Sequence, residues 1–397
     1  MTSEIVILAG ARTAIGTFGG SLSSMTPIEL GTIVAKSAME RSGIEPEKIG
    51  HVAFGHVINT EAKDMYLSRV SSLGAGIPEE VPAMNVNRLC GSGVQAIVSV
   101  IQSLMLSDAD FGLAGGSESM SRSPHIVPDV RWGRKMGNTG MDDMMIGALS
   151  CPFGTGHMGV TAENVAAEYG IERTIQDQFA LESQQRAANA IDKGYFNSQI
   201  VPVEVKQRKS SFMFDTDEHP KPTSSEDLAK LRTVFKKDGS VTAGNASGIN
   251  DGAAAIVLAR REAAEKAGLT PKAKILGYAH AGVSPQTMGI GPVPATQKLL
   301  RKIGAKVTDF DVIESNEAFA AQALAVSNEL GLDANKVNPN GGAIALGHPI
   351  GATGTIIALK ALYELERIGG KKALITMCIG GGQGISLAIE RIQTTAH

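Results

Sequence analysis

Cysteine is scarce, with three residues among 397: Cys90, Cys151 and Cys378. That number builds no disulfide framework. The nearest pair, Cys90 and Cys151, has neither CxxC spacing nor a histidine cluster suited to zinc, so no metal site is expected. A reducing compartment fits such usage. Charge of one sign is also lacking. A net charge of −3 offers no global attraction for nucleic acid or an anionic membrane and leaves open only a local basic patch. No stretch approaches ~18 uninterrupted apolar residues, so no membrane span is expected. Glu4 passes directly into a strand-like run at 5–9 with no basic or long apolar leader, and Thr395-Ala396-His397 is not a peroxisomal address. The expectation is a cytoplasmic protein.

What the chain has is hydrophobic residues, 43%, in a length sufficient for two or three domains. Short runs of Val, Ile, Leu and Ala alternate with longer helical patterns, and Gly or Pro marks the junctions, which predicts an α/β fold with buried strands. The patterns predict strands over 5–9, 51–55, 110–114, 254–259, 274–279, 311–315, 373–377 and 385–390. They predict helices over 27–42, 93–107, 174–193, 294–303, 318–330 and 351–368.

The two ends of the chain read as distant copies. A strand at 5 and a strand at 51 precede Asn85-Val86-Asn87, then Cys90, a helix, and a strand ending in Ala114-Gly115-Gly116. A strand at 274 and one at 311 precede Asn338-Pro339-Asn340, then His348, a helix, and a strand ending in Cys378-Ile379-Gly380-Gly381-Gly382. From the second strand to the reactive residue the separations are 39 residues (51 to 90) and 37 (311 to 348). Cys90 and His348 are thus expected in matching turns that a pseudo-twofold axis brings together; the competing explanation is coincident α/β punctuation. Between the copies, over about 121–246, the pattern loosens into an inserted cap. Its stretch 204–237 is densely charged, either a solvated surface or a contact for ligand phosphates.

Cys90, in Arg88-Leu89-Cys90-Gly91-Ser92-Gly93, precedes a helix whose N-terminus favours a thiolate. The alternative is a small buried hydrophobe, but glycines around it suit a nucleophile better. His348, between Gly347 and Pro349, is a natural base for that sulfur, or a structural histidine. Cys378 before three glycines can exchange protons with a substrate or pair with Cys90 in a disulfide. Asn316 can cap the following helix or orient a water. Cys151 has no such setting and reads as inert. Glycine pairs 19–20 and 115–116 lack the dinucleotide fingerprint, so no cofactor is inferred from them. Four polar groups of this kind in glycine-rich turns suggest acyl transfer.

Seven blocks resemble the thiolase family, in its acetyl-CoA acetyltransferase (β-ketothiolase) branch, over essentially the whole chain. They are residues 87–93, 115–121, 157–164, 242–248, 316–320, 341–349 and the Cys378 block. The resemblance implies a thiolase fold with two homologous halves in a five-layered αβαβα arrangement. The first half would be 1–120, completed by 247–272; the cap would be 121–246; the second half would be 273–397. It implies that Cys90 is S-acetylated by acetyl-CoA after His348 takes its proton. Cys378 would deprotonate a second acetyl-CoA, and a Claisen condensation would give acetoacetyl-CoA and CoA. In thiolysis Cys378 would activate CoA instead.

By the same resemblance, His348 and a water on Asn316 form one oxyanion hole, and the N–H groups of Cys90 and Gly380 form the other; loss of one such donor costs on the order of 10²- to 10³-fold in rate. Coenzyme A contacts would come from Leu149, His157, Met158, Ala243, Ser247, Ala318 and Phe319. A basic residue would sit near the nucleotide. Where relatives often carry Arg in the cap, this chain has Lys221 between two prolines, which cannot form a bidentate fork. The segment 124–136 resembles a loop that assembles homotetramers, as dimers of dimers. No cofactor is implied beyond the CoA thioester substrates, and no nucleic acid or membrane partner. The alternatives are a 3-ketoacyl-CoA thiolase of fatty-acid degradation with broader chain length, a non-catalytic acyl-CoA or lipid carrier on the same fold, and a disulfide oxidoreductase.

Overall fold

The computed structural model describes residues 4–393. The C-terminal tripeptide Thr395-Ala396-His397 read above, and the outermost ends of the ranges 1–120 and 273–397, lie outside the described residues. Nine strands form one mixed sheet: β1 (Ile5–Arg12), β2 (His51–Gly55), β3 (Ala83–Val86), β4 (Phe111–Ser119), β5 (Asn250–Arg260), β6 (Ala273–Gly282), β7 (Val312–Ser315), β8 (Lys372–Ile379) and β9 (Gln383–Arg391). A short tenth strand, Gly16–Thr17, adds to β5, and the spatial order is β7-β8-β9-β6-β1-β5-β4-β2-β3.

That order contains the same four-strand motif twice, β2-β4-β5-β1 and β7-β8-β9-β6. In each the first pair is parallel and the others antiparallel. The motifs meet where β1 and β6 pair antiparallel through Val6 with Lys274 and Ile7 with Ala273. Antiparallel pairing of equivalent strands is what a twofold axis between them requires. Outside β2 the first half adds β3, whereas the second half has only a bridge from Ile313 to Val337 at that place.

Seven principal helices are α1 (Pro27–Ser42), α2 (Ser92–Met105), α3 (Met158–Glu168), α4 (Arg173–Asp192), α5 (Pro292–Ile303), α6 (Ala320–Leu330) and α7 (Thr353–Ile368). Their ends follow local chemistry. Thr26 and Glu29 form a capping box at the start of α1, Pro27 opens its first turn, and Gly43 closes it at φ 68°. α2 and α7 pack on each other and touch strands of both motifs, while α1 covers the first motif and α5 the second. Helix, sheet, paired helices, sheet and helix are the five layers.

Glycine makes the middle layer possible. A Cβ at Gly93 would stand 2.5 Å from the Thr355 nitrogen, and one at Gly354 would stand 2.4 Å from the Val94 nitrogen. Each glycine is the second residue of its helix, so the crossing obeys the same symmetry as the sheet. α7 is buried continuously from Thr353 to Leu365, which leaves Lys360 and Glu364 in the interior. Both are paired, Lys360 with Glu314 and Glu364 with Arg367.

Several bounds differ from expectation. The strand expected over 110–114 runs on through both glycines to Ser119, and the one expected over 254–259 begins at Asn250. The cap holds more order than its composition indicates. Besides α4 it contains α3 and a hairpin, Val203–Lys206 with Ser211–Phe214. Lys206, Arg208 and Lys209 are exposed on that hairpin, so this part of the charged run is a solvated surface. Next to it, Asp217 is drawn inside, where it takes two hydrogen bonds from Arg12 (2.7 and 2.9 Å) and one from the Ile15 N–H (2.8 Å). This pair ties the cap to β1. Among the described residues no helix is long and apolar enough to cross a membrane, and no group of three or more His, Cys, Asp or Glu side chains could hold a metal.

Candidate active site

The chain leaves β3 through a tight elbow. Leu89 has φ 45°, in the left-handed region that non-glycine residues enter only under constraint. The constraint is local. Asn87 Oδ1 accepts the Leu89 N–H (3.0 Å), and the Ser92 hydroxyl donates to the Leu89 carbonyl (2.6 Å) while accepting the Arg88 N–H (2.8 Å). Cys90 follows, two residues ahead of α2, and keeps partial solvent access. Burial of the sulfur pushes its pKa up, while the N–H groups of Gly380 and of Cys90 itself pull it down. The two backbone donors expected to form an oxyanion hole therefore converge on this sulfur.

Gly380 lies in the turn after β8, and Cys378 is the last residue but one of that strand. Its thiol is fully buried, and burial, reinforced by the neighbouring Cys90 thiol, raises its pKa. Cys378 packs with Met158, Met288, Ala318 and Phe319. All three cysteines are free thiols, which removes the disulfide reading of Cys90 and Cys378. Cys151 is buried in the same apolar cluster.

His348 is buried and held from two sides. Its N–H donates to Asn250 Oδ1 (2.9 Å), an approach that Gly347 allows: with φ 105°, it has no Cβ to strike the Asn250 carboxamide. On the other side His348 Nδ1 lies 2.6 Å from the Thr353 hydroxyl, which itself donates to the Pro349 carbonyl (2.8 Å). The hydroxyl proton is thus committed, so its oxygen accepts from Nδ1–H and the lone pair sits on Nε2. Nε2 is buried with no partner. Burial lowers the imidazole pKa to about 4, so it is neutral at pH 7 and free to take a proton. Glu118 fixes the turn after His348 by accepting the Gly351 N–H (2.9 Å), and it also accepts the N–H groups of Val57 and Ile58.

The expected match between Cys90 and His348 needs correction. From the start of the second strand to the start of the central helix there are 41 residues in both halves, His51 to Ser92 and Val312 to Thr353. Cys90 stands two residues before its helix, but His348 stands five before its own. The position equivalent to Cys90 is Gly351. The second half reaches its helix through a longer connection that includes the short helix Ala343–Leu346, and this carries His348 into the site. Asn316 also departs from one expectation. It caps nothing: α6 begins at Ala320 after Phe319, and both amide atoms of Asn316 are buried without partners.

His348 lines a cleft of about 520 Å³. Leu149, His157, Ala243, Ser247, Phe319 and Lys221 line it too, while Met158 and Ala318 pack with Cys378. Lys221 is exposed at the cleft, with its N–H bonded to Gln184 Oε1 (3.1 Å). His157 caps α3 by accepting the Gly159 N–H (3.0 Å), and burial lowers its pKa. The sequence reading missed Phe235, which stacks on His157 at 4.6 Å and meets Phe319 edge-on. It stands beside Lys236 and Lys237 in the charged run, where no periodicity marks it. Asn250, Thr353 and Glu118 were missed as supports of the histidine turn; Glu118 stands in the 115–121 block and was the one with a signal.

The sequence matches the thiolase N-terminal domain over residues 5–262 and the thiolase C-terminal domain over residues 269–391. It is 58% identical to the beta-ketothiolase BktB of Cupriavidus necator, over 99% of this chain and 100% of that one. It is 49% identical to an acetyl-CoA acetyltransferase of Thiocystis violacea, over 99% and 100%. Human mitochondrial 3-ketoacyl-CoA thiolase, in a crystal structure with CoA, superposes with a TM-score of 0.96 at 45% identity, over 99% of each chain.

Proposed function

Because the chain belongs to the thiolase family and is an acyltransferase, we propose that it catalyses the reversible condensation of two acetyl-CoA to acetoacetyl-CoA and CoA. The observation that carries this reading is the convergence of Cys90, the Gly380 N–H and the buried Cys378 at one site, together with a cleft lined by His348. His348 Nε2 takes the Cys90 proton, and the thiolate attacks the thioester carbonyl. CoA leaves with the proton of Cys378, which turns that thiol into a thiolate, and the acetyl group remains on the Cys90 sulfur. Cys378 then removes a proton from the methyl carbon of a second acetyl-CoA. The carbanion attacks the acetyl carbonyl, which releases the Cys90 sulfur and forms the new carbon–carbon bond. His348 with a water on Asn316 stabilises one oxyanion, and the Cys90 and Gly380 N–H groups the other. No cofactor is required beyond the substrates themselves.

The cleft supplies contacts suited to coenzyme A: Leu149, His157, Ala243, Ser247 and Phe319 along the arm, and Lys221 as a point charge for phosphate. A second reading, with longer 3-ketoacyl-CoAs as substrates, is favoured by the two methionines, Met158 and Met288, at the acyl end, since their side chains adapt to varied shapes. A tetramer in the cytoplasm belongs to the same proposal. Trp132 and Met136, about nine-tenths exposed on the 124–136 segment, support its assembly.

Labelled acetyl-CoA tests the mechanism. Wild-type protein and the Cys378→Ala variant should both acquire label, and Cys90→Ala should acquire none. Turnover of Cys378→Ala should fall by at least ~10³-fold. Normal turnover in that variant removes the proton-transfer role of Cys378. Thiolysis rates for acetoacetyl-CoA against longer 3-ketoacyl-CoAs decide between the two substrate ranges.

A further inference from the structure

Behind Asn316 lies a buried ion pair that the chemistry above does not use. Glu314 and Asn316 are two residues apart, and the Asn316 N–H still bonds to Thr376 of β8, so the strand alternation continues and both side chains share one face. Opposite them, Thr353 and Lys360 are seven residues apart on α7 and share one face of that helix. The four residues line a small cavity of about 20 Å³, whose wall also includes the apolar Ile15, Leu346, Ile356 and Ile357 and the polar Ser315 and Asn338. That volume holds one water.

Its polar atoms are unfinished. Lys360 Nζ donates to Glu314 Oε2 (2.9 Å) and to the Gly341 carbonyl (2.6 Å), and an ammonium has a third N–H. Glu314 Oε1 and both amide atoms of Asn316 are buried with no partner, in residues 1% and 2% exposed. An unsatisfied buried polar atom costs ~1–3 kcal/mol, so a water-sized cavity beside such atoms is a hydration site.

We propose that a water in this cavity bridges Glu314 Oε1 and the Asn316 carboxamide, which makes Glu314 and Lys360 positioning residues for Asn316. Burial raises the Glu314 pKa to about 7, but the Lys360 ammonium bonded to it favours the charged form, which only accepts, so the water donates to Oε1 and accepts from Asn316 Nδ2–H. Asn316 Oδ1 is thereby left facing the substrate side. Lys360 holds the carboxylate in place. This inference rests on the reading of Asn316 as holder of the catalytic water.

Two double variants remove both charges together, so that neither is stranded. Glu314→Leu with Lys360→Met should load acetyl onto Cys90 at the wild-type rate and yet condense ~10-fold more slowly with KM unchanged, the effect of losing one bridging water. Glu314→Gln with Lys360→Met keeps a carbonyl oxygen for the water and should recover to within ~3-fold of wild type. Unchanged condensation in the first variant, or an equal loss in loading and condensation, overturns the proposal. A high-resolution crystal structure of the unaltered protein tests it independently of folding and activity. It should place a water within hydrogen-bond distance of Glu314 Oε1 and the Asn316 amide, and a dry cavity overturns the proposal even if the enzyme condenses acetyl-CoA. If the wild-type protein forms no acetoacetyl-CoA, the assigned reaction fails, while the cavity water still stands or falls on the crystal structure.

Discussion

The N-termini of α2 and α7 are the same place in two copies of one motif, yet one presents a thiol and the other an imidazole. Both helices start 41 residues after the first residue of β2 or β7, and they cross at Gly93 and Gly354. In the first half five residues connect β3 to α2, and the strained Leu89 elbow puts Cys90 near the helix end with partial access to solvent. In the second half a longer connection, with its own short helix, folds back over α7 and buries His348. Duplication built the scaffold. The connecting loops decide which reactive group arrives and how wet it is.

The largest effect should come from breaking the crossing itself. Gly93→Val and Gly354→Val each drive a side chain into the backbone of the partner helix, where nothing flexible can give way. Overpacking of this kind costs at least ~3 kcal/mol. Denaturant midpoints should fall by similar amounts in the two variants. A large loss in one and a small loss in the other would mean that the two helix ends are not equivalent.

Much of this was legible in the sequence, and the reasons differ by element. The α1 bounds were readable because Thr26, Pro27, Glu29 and Gly43 are local signals. The duplicated order of strands and helices was readable because buried strands are continuous apolar runs. The reading erred where tertiary contacts override local cues. Gly115 and Gly116 signal a strand end, but they continue β4, because a Cβ at Gly116 would strike the Gly351 backbone and only glycine fits. The near-equal separations of 39 and 37 residues suggested that Cys90 matches His348. They arose because the reactive residues stand two and five places ahead of equivalent helices. Phe235 and Asn250 carry no periodic signal, since the fold alone brings them to the cleft and the histidine turn.

Acid separates the two turns by a smaller margin. The His348 pKa is lowered to about 4 by burial, whereas an unfolded chain binds that proton near 6.5. As pH falls below 6.5 the unfolded state takes up more protons than the folded one, so stability declines until pH reaches the folded value. The expected loss between pH 7 and pH 5 is about 2 kcal/mol from this residue. His280, half-buried and also lowered to about 4 by burial and then by Arg88, Lys298 and Lys302, acts in the same direction with more screening. Urea midpoints of wild type and His348→Asn at both pH values isolate the His348 share. Parallel pH dependence in the two proteins would show that the histidine turn opens to solvent.

The smallest effect tests the loop on which the second copy depends. Thr353 is the first residue of α7, and it orients His348 by accepting Nδ1–H while its own proton goes to Pro349. Thr353→Val keeps the shape and removes the acceptor. Nε2 should then lose its fixed lone pair for part of the time, and kcat/KM should fall by ~10-fold, equivalent to ~1.4 kcal/mol, with Thr353→Ser close to wild type. A merely structural threonine would instead change stability and leave kcat/KM alone. If Val and Ser behave alike, the grip of Asn250 on the His348 backbone is enough to aim the ring. The helix end would then contribute to the second turn only the packing that it already shares with the first.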